Sequence, residues 1–378
     1  MKVLILSDAN SSHTKKWVNS LVKEGINICL FSLTKCNEQL YENIQIVNIC
    51  LNKIDISTNK NDTSKFKYLK TIPILKKAIK NFKPDILHAH YASSYGLLGA
   101  LSDFHPLIIS VWGADVYKFP TKSFFHKLIL KFNLSRADKI LSTSHVMAVE
   151  TSKYTKKSIQ VTPFGVDLEK FKLLKKNNYI QNKLVIGTVK TLDPKYGIEL
   201  LIRAFSMVQI DQDLSLELII VGGGPQYSFL RKIVKDLGLI NFVQFVGQIS
   251  PEEVPFYLNK FDIYIALSTE NSESFGVAVI EASACEIPVV VSNVGGLPEV
   301  VEDGITGFIV PNNNPEAAAA AILKLILNSQ LRHQMGKAGR ERVKRLYNWN
   351  DNIDLMLSIY NDVLENRMNN NRKVYRFK

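Results

Sequence analysis

The segment that decides the fold lies at residues 263–310 and reads IYIALSTENSESFGVAVIEASACEIPVVVSNVGGLPEVVEDGITGFIV. Its runs Ile263–Leu267, Val289–Val291 and Phe308–Val310 are short and apolar throughout. Such runs predict strands of a parallel sheet that helices cover on both faces. After the first run, Glu273–Ala282 opens a helical pattern. A strand, a helix and a strand in this order predict one unit of an α/β fold.

The same alternation continues through the chain and breaks once, at the polar segment Asp167–Lys183. The strands predicted before this break are Val3–Leu6, Ile26–Phe31, Asp85–His88, Leu107–Val111, Lys139–Leu141 and Ile159–Val161. The strands predicted between the break and the opening segment are Leu184–Val189, Leu216–Val221 and Val243–Val246. The pattern therefore predicts two doubly wound α/β domains in tandem, with a ligand site in the cleft between them.

We place the first domain at residues 1–167 and the second at residues 168–348, followed by a helix at 349–366. The basic tail 367–378 is expected to fray. Of the 378 residues, 46% are hydrophobic and 22% are charged, which excludes a disordered chain. The start, MKVLILSD, has too short an apolar run for a signal peptide, so a cytoplasmic protein is expected.

The net charge of +12 is unevenly distributed. Residues 1–169 hold 23 Lys and Arg against 13 Asp and Glu, and residues 170–378 hold 24 against 22. A basic half indicates an anionic partner such as nucleic acid, acidic lipid or a phosphorylated ligand, or simply a solvated lysine-rich surface. The stretch Lys118–Lys139 mixes lysine with phenylalanine, which is typical of a helix on an acidic membrane face. A second basic cluster consists of Lys60, Lys65, Lys67, Lys70, Lys76, Lys77, Lys80 and Lys83, opposed by Asp62.

The helix that opens near Phe275–Val277 is a candidate phosphate site, because helix N-termini offer free N–H groups. Glu273 and Glu281 are about 12 Å apart along such a helix. That spacing is too long for two carboxylates that flank one glycosidic bond. It suits two carboxylates that hold hydroxyl groups at opposite ends of a diphosphate-bridged ligand. Taken alone, the two residues would be read as ordinary helix surface.

The stretch from Glu273 to Val310 resembles the family 4 glycosyltransferases, which have the GT-B fold of two facing Rossmann-like domains. The resemblance rests on the E-x7-E pair, the strand that follows Pro288, and the turn Gly295-Gly296-Leu297-Pro298-Glu299. Further matching segments are Ile186–Lys190, Lys195–Gly197, Gly222–Pro225, Phe245–Gly247, Pro84–His90, Arg136–Asp138 and Phe164–Asp167. The resemblance covers most of residues 1–350 and implies that the final helix packs back on the first domain.

The resemblance implies that Lys190 and Lys195 neutralise a donor diphosphate, that Glu281 binds ribose hydroxyls and that Glu273 holds the donor sugar. The further donor-binding residues that it implies are Gly247, Ser274, Phe275, Gly276 and Val277. We expect catalysis to involve Glu273, Lys190 and Lys195. No metal site is expected, since Asp211-Gln212-Asp213 precedes a strand instead of ending one.

The first domain departs from the family at the loop after Leu107–Val111, where Trp112 takes the place of a histidine. Asp115 and His90 are then the candidates for a catalytic polar group. We expect Ser12, His13 and Asp115 to bind the acceptor.

The implied reaction is a retaining transfer of a sugar from a nucleotide-diphosphate sugar, with UDP or GDP, to a lipid-linked or other glycan acceptor. No cofactor is expected beyond this substrate. The family type suggests synthesis of a capsule or lipopolysaccharide at the inner face of the cell membrane. Three alternatives remain: an epimerase or hydrolase of the same fold, a basic nucleic-acid-binding protein and a dehydrogenase. A nucleic-acid-binding motif is missing, and GxGxxG follows neither domain's first strand.

Overall fold

The computed structural model describes residues 1–35, 41, 44–48, 68–174, 183–209 and 215–376. The chain divides into two compact units, one formed by Met1–Thr162 with Ile353–Lys378 and the other by Pro163–Asn352. The first unit therefore ends at Thr162, five residues before the predicted boundary at position 167. Some of the residues on which the predictions rest lie outside the described ranges, namely Lys60, Asp62, Lys65, Lys67 and Asp211–Asp213.

The first unit is built on a parallel sheet. Its described elements are β1 (Lys2–Leu6), α1 (Ser12–Lys23), β2 (Asn27–Ser32), β3 (Gln45–Asn48), α2 (Ile72–Phe82), β4 (Ile86–His90), α3 (Ser94–Ser102), β5 (Leu107–Val111), α4 (Ala114–Tyr117), α5 (Phe124–Arg136), β6 (Lys139–Ser142), α6 (His145–Ser152) and β7 (Ile159–Val161). The strands lie in the order β3-β2-β1-β4-β5-β6-β7. All pairs of neighbouring strands in this order are parallel.

The second unit repeats this architecture. Its described elements are β8 (Lys183–Val189), α7 (Ile198–Val208), β9 (Ser215–Val221), α8 (Tyr227–Asp236), β10 (Val243–Gly247), α9 (Val254–Leu258), β11 (Ile263–Ala266), α10 (Val277–Ala284), β12 (Val289–Ser292), α11 (Leu297–Val300), β13 (Gly307–Val310), α12 (Pro315–Leu327) and α13 (Ser329–Leu346). The strand order is β10-β9-β8-β11-β12-β13. The last described element is the long helix α14 (Trp349–Arg376), whose residues from Ile353 onward belong to the first unit.

Each sheet is buried on both faces. Val3, Leu4, Ile5 and Leu6 in β1 are all fully buried, although consecutive side chains of a strand point to opposite faces. Burial of one such side chain contributes about 1.5–3 kcal/mol, so helices on both sides stabilise each sheet. The predicted doubly wound α/β fold is confirmed.

Strand order reverses beside the first strand of each sheet, between β1 and β4 and between β8 and β11. Open α/β sheets bind ligands in the crevice outside the carboxyl ends of the strands at such a point. The loops that follow these four strands are therefore where functional side chains are expected.

Each predicted strand is present, and its ends agree with the prediction to within two residues. The short strand β3 was not predicted. The predicted end of the last helix at position 366 is wrong, because α14 continues to Arg376. Residues 367–376 contain neither Gly nor Pro, so no residue there stops a helix. Within the described part of the chain, no helix is both long and apolar enough to cross a membrane.

Candidate active site

Charged side chains of the second unit meet where β8 and β11 end. Lys190 directly follows β8, and its Nζ lies 2.9 Å from Oε2 of Glu273, in the loop between β11 and α10. The Ser268 hydroxyl donates a hydrogen bond of 3.2 Å to the same carboxylate oxygen. The side chains of Lys190 and Glu273 are each only 11% exposed. A largely buried ion pair therefore occupies the switch point of this sheet.

Mutual attraction keeps both members of this pair charged. Burial acts to raise the pKa of the Glu273 carboxyl, but the Lys190 ammonium and the hydrogen bonds from Lys190 and Ser268 hold it below its usual value. Burial likewise acts to lower the pKa of Lys190, yet the nearby Glu273 and Tyr264 hold it above its usual value. Glu273 is therefore a carboxylate at neutral pH and cannot donate a proton to a leaving group.

A second cation reaches the same place from the 3-10 turn Pro194–Tyr196. Asp193 caps this turn by accepting a 3.2 Å hydrogen bond from the Lys195 backbone N–H. The Nζ atoms of Lys190 and Lys195 each lie 4.6 Å from the centroid of the Tyr196 ring. An aromatic face attracts cations, so both ammonium groups are held beside this one ring.

This pair of cations can stabilise negative charge that develops on a leaving diphosphate. Among the described residues, no cluster of three or more His, Cys, Asp or Glu side chains could hold a metal ion.

Two glycines bring the site's loops into close contact. A Cβ on Gly222, which has a φ of 141°, would lie 1.9 Å from the carbonyl oxygen of Lys190. A Cβ on Gly295, with a φ of 54°, would lie 2.1 Å from the carbonyl oxygen of Glu273. That oxygen also accepts a 2.8 Å hydrogen bond from the Gly296 N–H. The Gly-Gly turns thus fix the backbone of the two charged residues, and no side chain fits between them.

The aromatic ring of Phe275 faces the interior. It packs edge-on against Phe164 and Tyr347, with centroids 5.9 and 5.5 Å away, and Phe275 is only 3% exposed. A donor contact at this position would therefore use the backbone. Gly276 precedes α10 and Val277 is its first residue, so the helix presents its N-terminal N–H groups beside Glu273.

The other predicted donor residues lie on neighbouring elements. Ser274 and Glu281 are both half-buried. Burial raises the pKa of the Tyr264 phenol to about 12, and the charges of Lys190 and Glu281 also act on it, so both residues lie near this phenol. The carbonyl oxygen of Gly247 accepts a 2.8 Å hydrogen bond from the Gly222 N–H, which places the end of β10 beside the glycine turn.

In the first unit, His90 is part of a buried hydrogen-bond network. Its Nδ1 lies 3.1 Å from the Ser7 hydroxyl, which is 2.7 Å from the Thr14 hydroxyl. The centroid of its ring lies 4.3 Å from that of the Trp112 ring and 4.7 Å from that of the His88 ring. Burial and the neighbouring histidines hold the pKa of His90 well below its usual value. The ring is therefore neutral at pH 7 and 2% exposed.

Asp115 is a buried carboxylate surrounded by backbone donors. Its oxygens accept hydrogen bonds from the N–H groups of Ala92 (2.7 Å), Gly113 (2.8 Å) and Trp112 (3.2 Å). Burial raises the pKa of this carboxyl, and the backbone hydrogen bonds oppose the rise. Asp115 joins the loops after β4 and β5. The role of Asp115 at the acceptor or at the reacting atoms stays a prediction.

The two other residues predicted to bind the acceptor lie at the start of α1. Ser12 is exposed, whereas Ser11 caps the helix. The His13 ring lies 6.0 Å from Trp112 in an edge-on contact. Burial, and to a lesser extent Lys16, lowers the pKa of His13 to about 4. The structure thus brings His13, His90 and Trp112 together around the ends of β1, β4 and β5.

The two halves of the chain match two family models in tandem. Residues 2–144 match the model described as "Glycosyl transferase 4-like", and residues 169–342 match "Glycosyl transferases group 1". The chain belongs to the group 1 glycosyltransferases. The recognition that the E-x7-E segment suggested, and the prediction of a transferase enzyme, are therefore confirmed.

Curated relatives of this glycosyltransferase act on several sugars. The chain is 26% identical, over 298 residues, to the N-acetyl-alpha-D-glucosaminyl L-malate synthase of Bacillus anthracis. The aligned region covers 75% of this chain and 76% of the relative. The chain is 30% identical over 204 residues to a GDP-mannose-dependent alpha-(1-6)-phosphatidylinositol monomannoside mannosyltransferase of Mycobacterium tuberculosis, covering 51% and 53%.

The fold agrees with that of solved structures. Anabaena HepE in complex with UDP superposes with a TM-score of 0.81 over 96% of this chain and 100% of that chain, at 18% identity. At this identity, the likeness shows the GT-B fold alone.

Several residues of the candidate site were not predicted from the sequence. Tyr196 and Ser268 contact the charged pair, and each stands next to a residue or strand that was predicted. His88 lies on the same face of β4 as His90 and binds Tyr360 of α14 through Nδ1 at 2.8 Å. The i, i+2 spacing of the two histidines on one strand was the available signal.

Proposed function

We propose that the protein transfers a glycosyl group, with retention, from a UDP- or GDP-sugar to a hydroxyl group of a lipid-linked glycan acceptor. The observation that carries the proposal is the buried Lys190–Glu273 pair with Lys195 beside it. Two fixed cations and a helix N-terminus are suited to a diphosphate, whose charge grows as the bond to the sugar breaks. No cofactor or metal is required for this chemistry.

In this proposal, Glu273 accepts hydrogen bonds from donor-sugar hydroxyls while Lys190 keeps it ionised. Glu281, just over one turn into α10, binds the ribose hydroxyls. The N–H groups at Gly276 and Val277 and the end of β10 at Gly247 complete the donor site. Because the carboxylate is paired and charged, the departing diphosphate is the base that receives the acceptor proton. Attack from the same face then gives retention.

The first unit binds the acceptor in this proposal, through Ser12 and His13 at the start of α1. His90 would then stay neutral at pH 7, as its lowered pKa requires, and could accept a hydrogen bond from an acceptor hydroxyl. The mycobacterial relative is named as a phosphatidylinositol monomannoside mannosyltransferase, which supports a lipid-linked acceptor here. We place the reaction at the inner face of the cell membrane, in synthesis of a capsule or lipopolysaccharide.

A panel of UDP- and GDP-sugars tests the donor assignment. At 100 times its Kd, a bound donor stabilises the fold by about 2.7 kcal/mol, so the matching donor should raise Tm measurably. The donor should stabilise Glu273→Gln less than the wild type. If no nucleotide sugar shifts Tm of the wild type, the proposal fails.

Incubation with the matching donor alone separates the enzyme classes. A transferase should leave most of the donor intact until an acceptor is added. Rapid formation of an epimer without acceptor would instead identify an epimerase of the same fold, and rapid release of free sugar would identify a hydrolase.

A further inference from the structure

Helix α5 of the first unit exposes an apolar face. Phe124 and Phe125 are 70% and 72% exposed, and Leu128 and Phe132 are 45% and 42% exposed. At roughly 100° per residue, these four positions span about 100° of the helix circumference. The buried side chains lie on the opposite side and are His126, Leu130, Asn133 and Leu134. The helix therefore has one face in the core and a second apolar face in solvent.

This exposed face is bordered by cations. Lys127 and Lys131 adjoin it on the helix, and Lys122 precedes the helix; all three are exposed. Within the described ranges, none of the three forms an ion pair with a carboxylate. No Asp or Glu occurs in the sequence between Asp115 and Asp138. Three aromatic rings and a leucine thus alternate with these three lysines along a stretch of sequence without carboxylates.

We propose that this aromatic-basic face (Phe124, Phe125, Leu128 and Phe132 with Lys122, Lys127 and Lys131) docks the protein on an anionic lipid bilayer. The Phe and Leu side chains of an interfacial helix insert at the boundary between headgroups and acyl chains, and lysines are attracted to the negative membrane surface. A second copy fits less well, because a two-fold interface would place lysines opposite lysines. The inference deepens the proposed function and rests on it for the lipid-linked acceptor.

Vesicle sedimentation of the full chain at low salt tests this surface. The probes are phosphatidylcholine vesicles with about one-third phosphatidylglycerol, and vesicles of phosphatidylcholine alone. Each lysine near an anionic surface strengthens binding about fivefold, so Lys127→Gln/Lys131→Gln should weaken it about 25-fold. Phe124→Gln/Phe125→Gln should weaken binding at least as much. Phe229→Gln/Phe256→Gln removes two phenylalanines that are 47% and 56% exposed in the second unit, and should bind like the wild type.

The inference is overturned if the wild type ignores anionic vesicles, or if the control variant loses as much binding as Phe124→Gln/Phe125→Gln. It is also overturned if the phenylalanine variant merely converts a dimer to a monomer, since the face then binds a second copy. Tm of each variant, and its stabilisation by the matching nucleotide sugar without vesicles, should equal those of the wild type. If no nucleotide sugar stabilises the wild type, the proposed function is contradicted. The vesicle experiment still decides whether this face binds an anionic bilayer.

Tyr196 carries a separate role in the donor site. Its ring contacts the ammonium groups of both Lys190 and Lys195, and the capped turn Pro194–Tyr196 fixes its backbone. Two like charges at one place repel each other, and the ring's negative face offsets this repulsion. We infer that Tyr196 is a positioning residue that holds both cations in place before the donor diphosphate arrives. This inference rests on the proposed donor site.

Substitutions at Tyr196 separate positioning from simple packing. Tyr196→Phe keeps the aromatic face and should retain kcat/KM within about twofold, whereas Tyr196→Leu should lose about tenfold. In a Lys195→Met background the cost of Tyr196→Leu should shrink, because one of its two partners is gone. Equal loss in the Phe and Leu variants, or fully additive loss in the double variant, would overturn the role. Full activity of Lys195→Met would instead contradict the donor site itself.

Discussion

Lys190 and Glu273 face each other at 2.9 Å in surroundings that water barely reaches. Removal of one member of a buried pair leaves an uncompensated charge, which costs far more than removal of both. The effect of a substitution at this site therefore depends on whether it removes one charge of the pair or both. Variants that leave Glu273 alone with its charge are expected to lose stability as well as activity.

We predict that Lys190→Met lowers the free energy of unfolding by about 3 kcal/mol, since it strands the Glu273 carboxylate. Lys190→Met/Glu273→Gln should recover most of this loss, because no buried charge remains. Both variants should lack transferase activity. Urea denaturation followed by circular dichroism measures the stability. Equal stability of the single and double variants would show that the pair is not coupled.

The buried histidines make the first unit sensitive to acid. Burial lowers the pKa of His88 to about 3, so the native state keeps this ring neutral while the unfolded chain protonates it near its usual value of 6.5. The unfolded state thus binds more protons between pH 6.5 and 3. Native stability is therefore complete above pH 6.5 and is lost as the pH falls through this window.

We predict a fall in unfolding free energy of up to about 1.4 kcal/mol per pH unit for each such histidine below pH 6.5. His88→Gln should be less stable than the wild type at pH 7, since the hydrogen bonds to Tyr360 and Ser110 are disturbed. Its stability should, however, change less steeply with pH. Urea titrations at pH 7, 6 and 5 give the slopes, and identical slopes would refute the assignment.

At the scale of elements, turns decide where the charges lie. The turn Gly295-Gly296 packs directly on the backbone of Glu273, and the turn at Gly222 packs on that of Lys190. Replacement of a glycine in either turn can affect the reaction even if that glycine does not touch the donor. A displacement of about 1 Å at a reacting group can cost about 100-fold in rate.

We predict that Gly295→Ala lowers kcat/KM at least about tenfold, because the new methyl group must displace the Glu273 carbonyl oxygen. Gly304→Ala is the matched control. Gly304 also has a positive φ, of 75°, but an added Cβ would meet no atom within 4 Å. Both variants carry the backbone strain, and only the first should impair transfer. Similar activity of the two would mean that the turn does not position Glu273.

The strands and the E-x7-E segment could be predicted from the sequence because they depend on local patterns. Short runs of three to six mostly apolar residues identified the strands, and the order of motifs after Glu273 identified the family. Contacts between distant segments could not be predicted. The Lys190–Glu273 pair spans 83 residues. The Asp115 carboxylate accepts from its neighbours Trp112 and Gly113 and also from Ala92, which lies 23 residues away in the loop after β4.

At the scale of the whole molecule, two units of one architecture carry different side chains at equivalent places. The second unit gathers two lysines and a carboxylate at the ends of β8 and β11. The first gathers neutral histidines and Trp112 at the ends of β1, β4 and β5. Part of the excess positive charge of residues 1–169 lies away from this uncharged histidine cluster, on the exposed face of α5.

Calorimetric titration with UDP and with GDP tests whether the ends of β8 and β11 hold the donor diphosphate. One of the two nucleotides should bind the wild type, and Lys195→Met should weaken its binding about 10- to 100-fold, as loss of a charge-assisted contact requires. Lys183→Met is the control, since Lys183 begins β8 and pairs with Glu217 at the opposite end of the sheet. It should bind like the wild type. Failure of both nucleotides to bind, or equal binding by the two variants, would contradict the account.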